Sequence, residues 1–169
     1  VYVNVRDTNE FDMDTSNNTG TFDLAAGAAV TQTGASTIII GGVSDINAAG
    51  SDVSLNLAYN DFRASVEVDG VNVDLQDTNE FDMGTLNITG TFDLVSDAAV
   101  TQTAVSLINI GGVSDITAAG SDVSSNLANN DFKESVEVDG VNADLKDTNE
   151  FDICTYNLNG NSYTFFSSP

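Results

Sequence analysis

Histidine is absent from this 169-residue chain, cysteine and proline occur once each, and lysine and arginine together number four. Without histidine there is no Ser-His-Asp or Cys-His nucleophile system, no imidazole-ligated metal and no ordinary proton shuttle. Cys154 stands alone, so no disulfide forms within the chain. The single proline is Pro169, at the last position. A sheet whose strands are nearly all internal would have that composition, because proline removes a ladder donor. The four cations face 26 carboxylates, for a net charge of -22. Phosphate recognition needs clustered Lys and Arg, so nucleic acid is excluded as a partner, and anionic membrane surfaces are disfavoured. No run reaches transmembrane length, so no membrane insertion is expected, and no signal peptide or phosphate-cradling Gly-rich motif occurs.

What is present is repetition. DTNEFD opens at Asp7, Asp77 and Asp147, and residues 7–70 match residues 77–140 at 49 of 64 positions. The chain divides into approximate repeats 1–70 and 71–140, a partial third at 141–160 and a divergent tail at 161–169. Its opening VYVNV aligns with residues 71–75, so it starts in mid-coil, as a processed fragment of something longer would. Loop residues are copied as faithfully as apolar ones, which is the mark of an array built by stacking.

Within each block, apolar–x–apolar–x–Gly recurs at Gly20, Gly42, Gly70, Gly90, Gly112, Gly140 and Gly160. Apolar residues two apart share one face of a strand, so these positions read as inward-facing columns. Glycine fits corners where the backbone bends sharply or takes positive φ. No 3.6-residue period is present. The spacing predicts an all-β, right-handed parallel β-helix with about three coils per 70-residue repeat. The longest unit, from Gly42 to Gly70, is expected to carry an extra loop. A β-sandwich of hairpins is the competing fold, favoured by Asp69–Gly70 and Asp139–Gly140. Ser16 and Asn18 replace Leu86 and Ile88 of the next block, so the first coil should be partly wet or Asn18 hydrogen-bonded.

Candidate sites are few. Asp77, Asn79, Glu80 and Asp82 of DTNEFD begin like a calcium loop, but Phe81 and Asp82 stand where a ligand and a glycine belong. They read as adventitious Ca2+ ligands at most, with no built metal site and no cofactor. Two carboxylates suffice for glycoside cleavage, so a polysaccharide-acting enzyme is the outlying alternative. Three copies of the hexapeptide with unchanged neighbours differentiate no catalytic pair, and no catalytic residue is assigned. In the tail, Tyr163 and Phe165 stand one position later than Phe92 and Leu94. Tyr163, Phe165 and Phe166 are therefore candidate assembly residues.

Residues 114–153 run through Asn130-Asp131-Phe132, then Val136, Val138, Gly140, Val141 and Leu145, to Asp147-Thr148-Asn149. This succession resembles the repeats of filamentous-haemagglutinin-type exoproteins, large bacterial adhesins of two-partner secretion. The resemblance implies a β-helical shaft, an extracellular or cell-surface location and an adhesive, non-catalytic role toward a host or neighbouring-cell surface. The alternative is a self-assembling subunit stacked head to tail. This chain is more acidic than such repeats and its copies are more nearly identical.

Overall fold

A computed structural model describes residues 1–149, 152–159 and 163–167. It is a β-solenoid of about eight turns, with parallel strands throughout and no helix among the described residues. The first coil holds β1 (Val3–Asp7), β2 (Phe11–Met13) and β3 (Ser16–Asn18). The second holds β4 (Phe22–Ala26), β5 (Val30–Gln32) and β6 (Ile38–Ile40), and the third β7 (Ser44–Asn47), β8 (Val53–Leu55) and β9 (Asp61–Phe62). In the fourth, β10 (Val66–Gly70) and β11 (Val73–Asp77) lead into the long β12 (Phe81–Ile88), which bends around a corner into the fifth coil. There follow β13 (Phe92–Ser96) and β14 (Val100–Gln102), then β15 (Ile108–Ile110), β16 (Ser114–Ala118) and β17 (Val123–Ser125). The last are β18 (Asp131–Phe132), β19 (Val136–Gly140), β20 (Ala143–Asp147), β21 (Ile153–Leu158) and β22 (Tyr163–Ser167).

Three faces result. One stacks β1, β4, β7, β10, the second half of β12, β15 and β18; a second stacks β2, β5, β8, β11, β13, β16, β19 and β21. The third begins β3, β6, β9 and resumes with the first half of β12, β14, β17, β20 and β22. Counting the bent β12 as two, each repeat contributes ten strands, and each coil consumes three. A repeat is therefore three coils and one strand, so each copy is turned by a third of a circle from the one before. β1 lies on the first face whereas its counterpart β11 lies on the second.

That count corrects two expectations. The unit from Gly42 to Gly70 is long because it contains a fourth strand, β9, and not because of an extra loop. The apolar positions before the glycines do point inward, yet they do not form one column. Ile40 stacks on Phe62, and Val68 stacks on Ile46 of a different face. β22 pairs with β20, placing Tyr163 beside Ala143 and Phe165 beside Leu145, the same ladder that sets Phe92 beside Val73 and Leu94 beside Leu75. This strand thus continues the coil.

Glycine has two separate uses. Gly50 and Gly120 take positive φ, 76° and 68°, in the AAGSD turns. Gly42 and Gly112 have ordinary φ, but a Cβ on either would lie 2.7 Å from the backbone of Gly20 or Gly90 one coil away. Those corner glycines answer to close approach between coils, not to backbone handedness.

Burial follows strand alternation. Leu24, Ile46, Leu75, Leu94, Ile110, Ile116 and Leu145 are completely buried in one continuous cluster that runs from Met13 to Leu145. Asn18 sits at the start of this interior and satisfies itself locally. Its Nδ2 donates to the Thr21 carbonyl at 2.8 Å, and its Oδ1 accepts the Gly20 N–H at 3.1 Å.

Ile110→Asp places an unpaired charge in this column, where burial is strongly disfavoured. The variant should lose its cooperative β-sheet transition by circular dichroism. Asp115→Asn, on the outward side of β16, should keep it.

Candidate functional site

DTNEFD straddles a corner, and alternation splits its carboxylates. Asp77 ends β11 pointing inward and is fully buried, while Glu80 is exposed and Asp82 half-buried on the outside. Asn79, Glu80 and Asp82 line an open surface cleft with Asp61, Arg63, Ala64 and Thr101. Around it Asn79 Nδ2 donates to Asp61 Oδ1 at 3.0 Å, and Arg63 Nε donates to Asp61 Oδ2 at 2.8 Å. Thr101 and Thr103 hydroxyls donate to the two oxygens of Asp82 at 3.1 and 2.9 Å. Three of the four candidate cation ligands thus share the cleft and Asp77 does not. Among the described residues, no three acidic or cysteine side chains converge on a point where a metal ion would sit.

Asp77 has a different occupation. The three-stranded ladder of the third face stops at β9, and at that seam side chain replaces backbone. Phe62 N–H donates to Asp77 Oδ1 at 3.3 Å, while Thr78 N–H donates to the Asn60 carbonyl at 2.9 Å. Phe62 and Phe81 meet edge to face across the same seam, with centroids 6.3 Å apart. One repeat later Phe132 N–H donates to Asp147 Oδ1 at 3.3 Å, and Thr148 N–H to the Asn130 carbonyl at 2.8 Å.

Beneath each seam lies an amide clamp that the sequence reading missed. Gln32 Nε2 donates to Asn60 Oδ1 at 2.7 Å, and Asn60 Nδ2 donates back to Gln32 Oε1 at 2.9 Å. Gln102 and Asn130 repeat the pair at 2.7 and 2.9 Å, with Ser125 added. Both asparagines are fully buried. The signal was there in the recurrence of Gln and Asn 28 residues apart in both blocks, but only the fold shows that they meet.

A family model described as repeats of unknown function (DUF5649) matches residues 2–69 and again 70–139. The chain belongs to this repeat family. No curated protein and no solved structure is matched by the chain. Clamp and glycine corner recur within the two matched repeats, and the seam recurs at the end of each, its second carboxyl Asp147 lying just past the match, so they are properties of this chain's repeat rather than of one locality.

So is an acidic ladder. On the second face Asp74, Asp93, Asp115 and Glu137 stand directly above one another on consecutive coils. Adjacent rungs of a parallel sheet are roughly 4.8 Å apart. Burial together with the charges of Asp74 and Asp115 raises the Asp93 pKa, and burial together with Glu137 and Asp139 raises that of Asp115. The first repeat carries the same column, Asp23, Asp45 and Glu67, turned onto the first face. There Arg6 Nη1 reaches Asp23 at 2.8 Å, and the Tyr2 hydroxyl donates to it at 2.9 Å. Those hydrogen bonds hold the Asp23 carboxyl below its usual range. In the second repeat Gln76 and Asn72 take the places of Arg6 and Tyr2; Asn56 Nδ2 donates to Asp74, but among the described residues no cation is paired with the column.

Of the assembly candidates, Phe165 is half-buried against the interior cluster. The side chains of Tyr163 and Phe166, like that of Cys154, lie outside the described residues.

Two outcomes follow. Asn130→Ala takes the acceptor from the half-buried Gln102 Nε2 and empties a fully buried position, and stability should fall by about 1–3 kcal/mol in urea unfolding. Asp93→Asn should raise the melting temperature at low ionic strength. That gain should shrink toward zero near 1 M salt, where the screening length is about 3 Å.

Proposed function

We propose that this chain is a section of the non-catalytic shaft of an extracellular fibre or surface adhesin. The observation that carries this reading is the ten-strand repeat in a three-strand coil. Such a repeat can be added indefinitely, each copy lengthening the rod without enclosing a pocket. At roughly 4.8 Å per coil, one repeat adds about 16 Å. The resemblance of residues 114–153 to filamentous-haemagglutinin-type repeats supports the same reading. The acidic exterior keeps such a rod soluble and repels like-charged surfaces. Adhesion itself then belongs to a host or neighbouring-cell surface engaged elsewhere along the fibre.

A head-to-tail subunit is the related alternative. Val3, Val5 and Phe11 at one end of the interior, and Leu158 and Phe165 at the other, are only partly buried. Another coil would cover them, supplied by further chain or by a second copy.

The shaft reading is tested by immunogold labelling of intact producing cells together with small-angle scattering of proteins carrying one to four added repeats. Surface label, and rods that lengthen by about 16 Å per repeat at constant cross-section, are the expected results. Label confined to the cell interior would overturn the reading.

A further inference from the structure

The carboxyl at each seam is bound on one side only. Asp77 accepts the Phe62 N–H through Oδ1, whereas its Oδ2 is buried with no partner. Asp147 repeats both features, accepting the Phe132 N–H through Oδ1 while its Oδ2 is buried and unmatched. Both copies of the seam leave the same atom orphaned. An ionised carboxylate with one oxygen in an apolar interior is strongly disfavoured, and a neutral carboxyl is not.

We propose that Asp77 and Asp147 are proton-closed latches, one per repeat, holding each seam shut when protonated and loosening it when ionised. With the proton on Oδ2, Oδ1 keeps its N–H bond and the carboxyl is uncharged. Once the proton leaves to solvent, the charge is relieved only by admitting water, and the nearest way in is to part β9 from β12. The charged groups around the first latch oppose ionisation on balance. Asp61 on β9 raises the proton affinity of Asp77, and Arg63, Glu80 and Asp82 line the cleft outside. Around the second, Asp131 acts in the same direction, with Lys133 3.9 Å from it. Burial, the largest cause, pushes the Asp77 pKa up to about 7.

The sign follows from that direction. A group whose pKa is higher in the folded than in the unfolded chain stabilises the fold fully below the unfolded value of 3.8, and that stability is lost as pH rises through the folded value. The first seam therefore tightens as pH falls through about 7, the second is shifted in the same direction, and the two lie a third of a turn apart around the rod. The latch stands apart from the shaft reading and holds whatever the rod is used for.

The test is amide exchange by NMR on the whole chain from pH 5 to 8.5, corrected for intrinsic rates, with titration of the Asp77 carboxyl carbon. Protection at Phe62 and Thr78 should fall on the order of tenfold as pH rises through the carboxyl midpoint. Asp77→Asn should flatten this dependence at Phe62 and leave that at Phe132 intact, while Asp115→Asn changes neither. A carboxyl midpoint in the ordinary Asp range would overturn the proposal, as would unchanged pH dependence in Asp77→Asn. Should that variant fail to fold, the wild-type carboxyl midpoint decides alone.

Discussion

Everything in this molecule depends on apolar side chains from successive coils landing on one another inside a narrow tube. A single sheet face cannot be buried by its own strand. Leu75 is out of water because Leu55 lies beneath it and Leu94 above. Because the ladder is parallel, each inward position is buried on both sides along the axis. A misplaced residue is then felt by two neighbours. Identity between repeats is the economical solution to that demand, since a strand that fits its neighbour once fits again.

The same stacking aligns whatever points outward, and here it aligns carboxylates. Asp93 and Asp115 are adjacent rungs because Leu94 and Ile116 are adjacent rungs. Apolar burial, worth about 25 cal/mol per Å2, fixes the register, and the electrostatics follow from it. The raised pKa values of Asp45, Asp93 and Asp115 are a consequence of the interior's geometry. Where the column meets Arg6 in the first repeat the repulsion is answered locally. In the second it is left to solvent and salt. The buried amide clamps are polar groups admitted to the interior because they meet amide and backbone partners across coils, and the seam carboxyls meet such a partner through Oδ1 alone.

The solenoid was legible in the sequence because stacking leaves two plain traces, period-two alternation and faithful copying of turns. The inward side of β10, β12 and β15 could be read from Val66, Val68, Leu86, Ile108 and Ile110 alone. The face assignment could not. A glycine-anchored motif looks the same on every face, so Ile40 and Val68 seemed to share a column although a fourth strand separates them. That strand, β9, is two residues long, too short for alternation to show. The role of Asp77 was hidden for another reason. A carboxylate beside a surface acid reads as solvated, and only three-dimensional placement shows that its partner is the Phe62 amide fifteen residues earlier.

The central claim is that the repeat carries ten strands in a three-strand coil, so that neighbouring glycine-anchored units change face. Paired cysteines in a Cys154→Ser background read this directly, because a disulfide needs Cα atoms about 4.4–6.8 Å apart. Ile39→Cys with Asp61→Cys, and Asp45→Cys with Glu67→Cys, are neighbouring rungs and should oxidise readily. Ile39→Cys with Glu67→Cys lie on different faces and should stay reduced. Efficient closure of that last pair, with failure of the first, would restore the single-column arrangement and contradict the account.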